Sequence, residues 1–202
     1  MTLPDFPLAS IGLENVTLSR GGKTLVRALN LSAGPGEAIF LTGRNGAGKT
    51  TLLRVIAGLF APDSGAVSVT PEPAQSMAWL GHADGLKPGE TPREAVKFHI
   101  ALTGGDAALE RLALEAMAMR ALADRPAQRL SRGQKRRSAL ARVIASNRPI
   151  WLLDEPAGPL DLDGRDCLAK AVADHRSRGG LVIAATHQIL DWPDAQTLDI
   201  HA

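Results

Sequence analysis

The feature that most constrains this 202-residue chain is the segment at residues 43–50, GRNGAGKT, which matches the pattern G-x-x-x-x-G-K-[ST] at every fixed position. The preceding residues 38–42 (AIFLT) are typical of a buried parallel strand, and residues 51–59 (TLLRVIAGL) carry apolar side chains at helical spacing. A loop between a strand and a helix presents backbone N–H groups and the helix N-terminus to an anion. The sequence therefore predicts a binding site for the phosphates of a nucleotide.

Each part of this loop has a predicted contact with the nucleotide. The glycines let backbone N–H groups turn inward around a phosphate, Lys49 reaches the terminal phosphates, and Thr50 can bind Mg²⁺. The residues expected to bind nucleotide here are Gly43, Arg44, Asn45, Gly46, Ala47, Gly48, Lys49, Thr50 and Thr51. The loop alone does not distinguish a kinase, a GTPase and an ATPase.

A pair of carboxylates follows an apolar strand at residues 150–155 (IWLLDE). The carboxyl end of a parallel strand lies at the sheet edge where ligands bind, beside the phosphate loop. There Asp154 can hold the Mg²⁺ shell, and Glu155 can orient or deprotonate the attacking water. The alternative is that the two acids merely begin a loop.

Residues 130–134 (LSRGQ) precede another helix. Ser131 and the backbone of Gly133 open that helix and so form a second anion site. A serine cap with a glycine means, by itself, only that a helix begins. In order and spacing with the two motifs above, the segment resembles the LSGGQ sequence of ATP-binding cassette (ABC) ATPases, with Arg132 in place of the first of the two glycines. We interpret most of the basic residues around this helix as a solvated face, the alternative being a contact with nucleotide or anionic lipid. These residues are Arg132, Lys135, Arg136, Arg137 and Arg142.

The resemblance to ABC ATPases covers residues 11–190 and implies further site residues. In that family the LSGGQ segment completes the ATP pocket of the opposite subunit, so a second copy of this chain is an expected partner in an ATP-sandwich dimer. Residues 158–161 (GPLD) resemble the family's D-loop, with Asp161 as the retained acid. His187, after the apolar run at residues 181–186, is placed like the switch histidine that contacts the γ-phosphate. The resemblance thus adds these nucleotide-binding residues: Ser131, Arg132, Gly133, Gln134 and Asp161.

Two positions depart from the family pattern. ABC ATPases usually place a glutamine in a loop that touches Mg²⁺ and receives the membrane subunit, and His82 stands there in this chain. The aromatic residue that usually stacks on adenine is missing, because the chain has no tyrosine and residues 19–22 (SRGG) supply no ring. Arg20 could stack instead through its planar guanidinium. The predicted catalytic residues are Glu155, His187, Lys49 and His82, and the predicted metal ligands are Thr50, Asp154 and His82.

The string WLGHADGLK at residues 79–87, with THQ at residues 186–188, narrows the resemblance. It is similar to the ATP-binding subunits of bacterial ABC complexes for haem export and cytochrome c maturation. The resemblance implies an ATPase with ATP and Mg²⁺, peripheral on the cytoplasmic face of the inner membrane beside integral-membrane subunits. Haem would be handled by the complex and not bound here, and no nucleic acid is expected. The ATPase of another ABC transporter is the alternative, and a soluble non-transport ABC protein is the weaker one.

Length and pattern predict one ABC-type nucleotide-binding domain over residues 1–202, of the α/β P-loop NTPase class with a mostly parallel sheet. Residues 1–82 would hold an antiparallel β layer and the phosphate-loop core. Residues 83–130 would form a helical subdomain, and residues 131–202 the rest of the core. The apolar runs are far shorter than the roughly 20 residues that span a bilayer, and the one cysteine, Cys167, excludes an internal disulfide.

Overall fold

The computed structural model describes residues 4–200, which form two sheets with helices packed around them. The strands in chain order are β1 (Ser10–Arg20), β2 (Lys23–Ala33), β3 (Ala38–Thr42), β4 (Ser64–Thr70), β5 (Met77–Leu80), β6 (Ile150–Asp154), β7 (Leu181–Ala185) and β8 (Gln196–Asp199). The helices are α1 (Lys49–Ile56), α2 (Pro73–Ser76), α3 (Pro92–Thr103), α4 (Ala108–Ala116), α5 (Arg132–Ala145) and α6 (Leu162–Ser177). Short 3₁₀ turns lie at Arg120–Leu122 and Ala127–Arg129.

The larger sheet has the order β5-β6-β7-β3-β8, and all its pairings are parallel. Both of its faces are covered, so β6 and β7 are apolar at nearly every position. Alternate residues enter different cores: Trp151 and Leu153 contact the cluster with the α3–α6 side, whereas Ile150 and Leu152 join the cluster with α1 and the antiparallel sheet. The carboxyl ends of β3, β6 and β7 consequently meet at one edge.

The antiparallel sheet has the order β2-β1-β4, and β1 and β2 have 11 residues each. Along β1 the buried residues are Ile11 and Leu13, then Val16 and Leu18, so the two-residue alternation slips once. The slip coincides with Asn15 at a φ of 49° and with a register shift between Leu13 and Val16. This β-bulge lets one continuous strand keep its apolar side chains inward.

Between β5 and β6, helices α3 and α4 pack mainly on α5. Helix α3 begins with a capping box, because the Thr91 hydroxyl accepts from the Glu94 N–H at 3.2 Å and the Glu94 carboxylate accepts from the Thr91 N–H at 2.9 Å. Gly104 ends it in the left-handed region. The α/β fold with a parallel and an antiparallel sheet is confirmed, whereas the division at residues 82 and 130 stays a prediction. Within residues 4–200, no helix has the length and hydropathy to cross a membrane.

Strand β8 was not predicted, because only Leu198 in it is even partly buried. It pairs in parallel with β3 at the sheet edge, and the Ile200 N–H donates to the Thr42 carbonyl oxygen at 2.9 Å. The chain after β8 thereby supports the start of the phosphate loop.

The buried side chain of His175 should make the stability of the fold depend on pH. Its ring stacks on Trp151 at a centroid distance of 3.9 Å, and its burial lowers the pKa to about 3. An unfolded chain protonates histidine near pH 6.5, so between these two values the unfolded state holds the extra proton. Acidification from pH 6.5 should then lower the unfolding free energy by up to about 1.4 kcal/mol per pH unit from this group.

His175→Phe keeps an aromatic ring beside Trp151 and removes this titration. In urea unfolding between pH 7 and pH 4, the variant should show a shallower loss of stability than the unchanged chain. The comparison uses the slope of unfolding free energy against pH and not its absolute value. The variant also loses the contact of Nε2 with the Pro149 carbonyl oxygen at 3.1 Å, which lowers stability at every pH. Identical slopes would contradict the prediction.

Candidate active site

The phosphate loop joins β3 to α1 at the carboxyl edge of the parallel sheet. Gly48 precedes α1 with a φ of 110°, and a Cβ on it would lie 2.9 Å from Leu25 Cβ. A side chain is therefore excluded on both counts. Among the described residues no side chain caps α1, so its first N–H groups face outward and are free to bind an anion.

Lys49 lies inside this loop and is 8% exposed. Its ammonium donates to the carbonyl oxygens of Gly43 at 2.8 Å and Arg44 at 3.3 Å. Both partners are neutral, and the positive charge is held within the ring of loop residues. This is the placement that a group contacting bound phosphates needs.

The Thr50 hydroxyl lies 3.1 and 3.0 Å from the two carboxylate oxygens of Asp154. Asp154 ends β6 and is buried. Hydroxyl and carboxylate oxygens are ligands that Mg²⁺ prefers, and at phosphate sites it takes one or two carboxylates together with the phosphates. Residues 4–200 contain no cluster of three or more His, Cys, Asp or Glu that could form a cage of protein ligands. The pair therefore fits Mg²⁺ held jointly with a nucleotide.

Glu155 follows directly, in a left-handed conformation with a φ of 48°. Its Oε1 lies 2.9 Å from Nδ1 of His187, while its Oε2 is buried without a hydrogen-bond partner among the described residues. A buried carboxylate oxygen with no partner is unfavourable unless a ligand or water supplies one. The structure thus brings together Glu155 and His187, and it leaves one acceptor available for a water.

His82 lies in the loop after β5, the strand beside β6. It lines a cavity of about 380 Å³ together with Arg132 and Glu155. It also lines a second cleft, of about 540 Å³, with Leu59 and Trp79. The residue in the glutamine position therefore stands between the carboxylate of Glu155 and an open surface cleft.

The LSRGQ segment forms the first turn of α5 as a capping box. The Ser131 hydroxyl accepts from the Gln134 N–H at 3.2 Å, and the Gln134 carbonyl oxygen accepts from the Ser131 N–H at 2.9 Å. Close packing favours glycine at position 133, because a Cβ there would lie 3.0 Å from the Pro159 carbonyl oxygen. Ser131 is exposed, and its hydroxyl hydrogen is not used by the cap.

Asp161 caps α6, since its Oδ1 accepts from the Gly164 N–H at 2.9 Å. It also accepts from Arg137 of α5, and this hydrogen bond lowers the pKa of Asp161. The predicted D-loop acid is thereby linked to the helix that carries Ser131.

Arg20 ends β1 and lines a cleft of about 290 Å³ with Thr51 and Phe60. The cleft begins one residue beyond Thr50, at the first turn of α1. Phe60 was not predicted as a site residue, although it is the aromatic side chain of this cleft and is 55% exposed. The signal available in the sequence was an isolated aromatic residue just after the phosphate-loop helix.

The interpretation of the basic residues on α5 as a solvated face is wrong for Arg136, which is 1% exposed. It is also wrong for Arg142, whose guanidinium donates to the carbonyl oxygens of Asp84 and Gly85. Both side chains point at the loop that carries His82, because α5 packs against β5 and the residues after it.

Comparison with known proteins agrees with this geometry. The sequence profile of the ABC transporter family matches residues 26–158. The chain therefore belongs to the ABC transporter family, as an ATP-binding subunit of the ATP-hydrolysing kind.

Its relatives include proteins named cytochrome c biogenesis ATP-binding export protein CcmA. The one from Maricaulis maris is 54% identical over 207 residues, covering 99% of this chain and 96% of that protein. The one from Hyphomonas neptunium is 41% identical over 193 residues and covers 96% of each.

Solved structures show the same fold. A putative ABC transporter ATP-binding protein from Pyrococcus furiosus has a TM-score of 0.83 at 22% identity, covering 95% of this chain and 98% of that one. The ATP-binding cassette MJ0796, a dimer in a post-hydrolysis state bound to ADP and Pi, has a TM-score of 0.76 at 26% identity and covers 88% of each chain.

Proposed function

We propose that this chain is the ATP-hydrolysing subunit of a bacterial inner-membrane ABC complex for cytochrome c maturation, which exports haem or releases a haem-loaded chaperone. The observation that carries the hydrolytic role is the pairing of Thr50 with Asp154 and of Glu155 with His187 at one sheet edge. The cellular role is supported by relatives of up to 54% identity that are named for cytochrome c biogenesis.

In this proposal the loop N–H groups and Lys49 bind the phosphates of ATP, and Thr50 and Asp154 hold Mg²⁺. Mg²⁺ held by these two residues would supply positive charge that offsets the charge of the bound phosphates. Arg20 covers the base from the cleft beside Thr51. The burial of Lys49 and Asp154 supports this assignment, because a site that excludes bulk water strengthens both interactions.

Glu155 acts on the water. Its partnerless Oε2 accepts a hydrogen bond from a water molecule and takes the proton of that water as the water oxygen attacks the γ-phosphorus. The bond between the γ-phosphorus and the β-phosphate oxygen breaks, which leaves ADP and phosphate. His187 orients the carboxylate through Oε1 and contacts the γ-phosphate. His82 faces the same cavity as Glu155 and completes the site.

The second half of each ATP site comes from a second copy of the chain. The segment Ser131, Arg132, Gly133 and Gln134, with Asp161, would face the nucleotide held by the other copy's phosphate loop. Two features support this: α5 presents an exposed, capped N-terminus with a free hydroxyl hydrogen on Ser131, and the related cassette MJ0796 forms a dimer.

Integral-membrane subunits would dock at the cleft of about 540 Å³ that His82 lines. Two neighbouring large apolar side chains here are more than half exposed: Leu59, which lines this cleft, and Phe60, the next residue along the chain. Grouped exposed apolar side chains mark a protein interface. The chain would then be peripheral, on the cytoplasmic face of the inner membrane, with haem handled by the complex and no nucleic acid partner.

Lys49→Ala in the chromosomal gene tests this role. The variant should abolish covalent haem attachment to c-type cytochromes, because it removes the charge inside the phosphate loop, while b-type cytochromes and apocytochrome synthesis stay normal. Haem staining of membrane proteins measures the outcome. Lys170→Ala is the matched control, because that side chain is 80% exposed on α6. Normal haem attachment in a Lys49→Ala strain whose purified complex lacks ATPase activity would indicate the ATPase of a different ABC transporter.

A further inference from the structure

Arg136 uses all five of its guanidinium N–H groups within the site. Nε donates to the Pro156 carbonyl oxygen at 3.2 Å, and Nη2 donates to the carbonyl oxygens of Asp154 at 2.5 Å and Glu155 at 2.8 Å. Nη1 donates to the Gly81 carbonyl oxygen at 2.8 Å and to the Asp84 carboxylate at 3.1 Å. A guanidinium has five donors, so none remains for another partner.

Three of these bonds hold the peptide units around Glu155. A glutamate at a φ of 48° is in a conformation that is unfavourable for a residue with a Cβ atom and persists only where its surroundings impose it. The carbonyl oxygens of residues 154, 155 and 156 all accept from the one side chain. Together with the bond from the Glu155 N–H to the Ala185 carbonyl oxygen, at 2.8 Å, they fix the turn that aims the carboxylate at its cavity.

The other two bonds hold the loop that carries His82. They go to Gly81, one residue before His82, and to Asp84, two residues after it. Arg142, six residues along the same helix, donates to the same loop at Asp84 and Gly85. Burial lowers the pKa of Arg136, while Asp84 acts in the opposite direction through its hydrogen bond and charge. The ion pair with Asp84 thus keeps a buried cation in place.

Arg136 also lies on α5, whose first turn is the LSRGQ segment. One rigid side chain therefore connects three parts of the site: the signature helix, the turn at Glu155 and the loop of His82. We propose that Arg136 is a positioning residue for hydrolysis, which fixes the Glu155 carboxylate and the His82 loop relative to the signature helix. This inference rests on the proposed function, because it assumes that Glu155 acts on the attacking water.

Arg136→Lys tests the inference in the full chain co-purified with its membrane subunits. A lysine keeps the charge but has no planar fork and only three donors, so Glu155 loses its fixed geometry. We expect kcat for ATP hydrolysis to fall on the order of 10- to 100-fold with KM for ATP nearly unchanged. Arg176→Lys is the matched control, because Arg176 of α6 also donates to carbonyl oxygens of two segments. Its partners, Gly36 and Pro193, precede β3 and β8 along the chain, so they lie away from the carboxyl edge of the sheet. Its kcat should equal that of the unchanged chain.

A double variant separates positioning from general destabilisation. In single-turnover hydrolysis, adding Arg136→Lys to Glu155→Gln should cause no further loss, because the effect of Arg136 acts through the carboxylate. Full multiplication of the two losses would overturn the positioning role, while full activity in Glu155→Gln alone would overturn the proposed function instead.

Asp84→Ala keeps the inference testable if Arg136→Lys does not fold, as judged by thermal unfolding and ATP binding. It removes one acceptor and the counter-charge of Arg136, so the guanidinium that fixes the turn at Glu155 is itself no longer held in place. A fall in kcat at constant KM, absent in the Glu155→Gln background, is expected. An unchanged kcat in Asp84→Ala, or a change in KM alone, would overturn the inference.

Discussion

Glu155→Gln is expected to bind ATP, to lose turnover by about a hundredfold or more, and to accumulate as an ATP-bound dimer. The amide keeps the size of the side chain and a carbonyl oxygen that can contact His187, but it cannot accept a proton from water. Binding should persist because the phosphate loop, Lys49 and the pair of Thr50 with Asp154 are untouched. Steady-state ATPase assays, equilibrium ATP binding and size-exclusion chromatography with ATP measure the three parts.

Glu14→Gln is the control for this substitution, because Glu14 is exposed on β1 of the antiparallel sheet. Its turnover should match that of the unchanged chain. If Glu155→Gln hydrolyses ATP at the normal rate, another group must activate the water, and the assignment of the partnerless Oε2 is wrong.

Mixed dimers of Lys49→Ala and Ser131→Arg chains are expected to contain one intact ATP site. In such a dimer both lesions fall in the same composite site, because the loop of one chain pairs with the signature helix of the other. The second site then has an unchanged Lys49 and an unchanged Ser131. We expect one ATP per mixed dimer and partial ATPase activity, whereas each variant alone should be inactive.

Differently tagged chains purified in succession isolate the mixed dimer. As a control, a doubly substituted chain mixed with the unchanged chain should leave no intact site, because each composite site then carries one lesion. Activity in this control mixture, with none in the mixture of the two single variants, would mean that Lys49 and Ser131 of the same chain act on one nucleotide, and the shared-site arrangement would be wrong.

Much of this architecture is predictable from the sequence because the relevant patterns are local. Strands β3, β6 and β7 appear in the sequence as mostly apolar runs, because both faces of the parallel sheet are covered. The phosphate loop is one contiguous segment. The carboxyl end of β6 then places Asp154 and Glu155 beside that loop. These features depend on neighbours a few residues away.

The features that the sequence could not reveal depend on contacts between distant segments. The burial of Arg136 follows from the packing of α5 against β5 and from its hydrogen bonds to residues 154–156, and nothing in a run of basic residues indicates which one turns inward. Strand β8 has almost no apolar signal because it lies at the edge. The bulge at Asn15 depends on the pairing of β1 with both β2 and β4, whose registers shift there.

The left-handed backbone at Glu155 sets the conformational preference of this position against the proposed role of its carboxylate. A φ of 48° suits glycine or asparagine better than glutamate, so the local backbone preference opposes the residue present. A glycine there would relieve the strain and favour the folded state, at the loss of the carboxylate. In the proposed mechanism Glu155 acts on the water, so selection for stability alone would remove a side chain that selection for hydrolysis maintains.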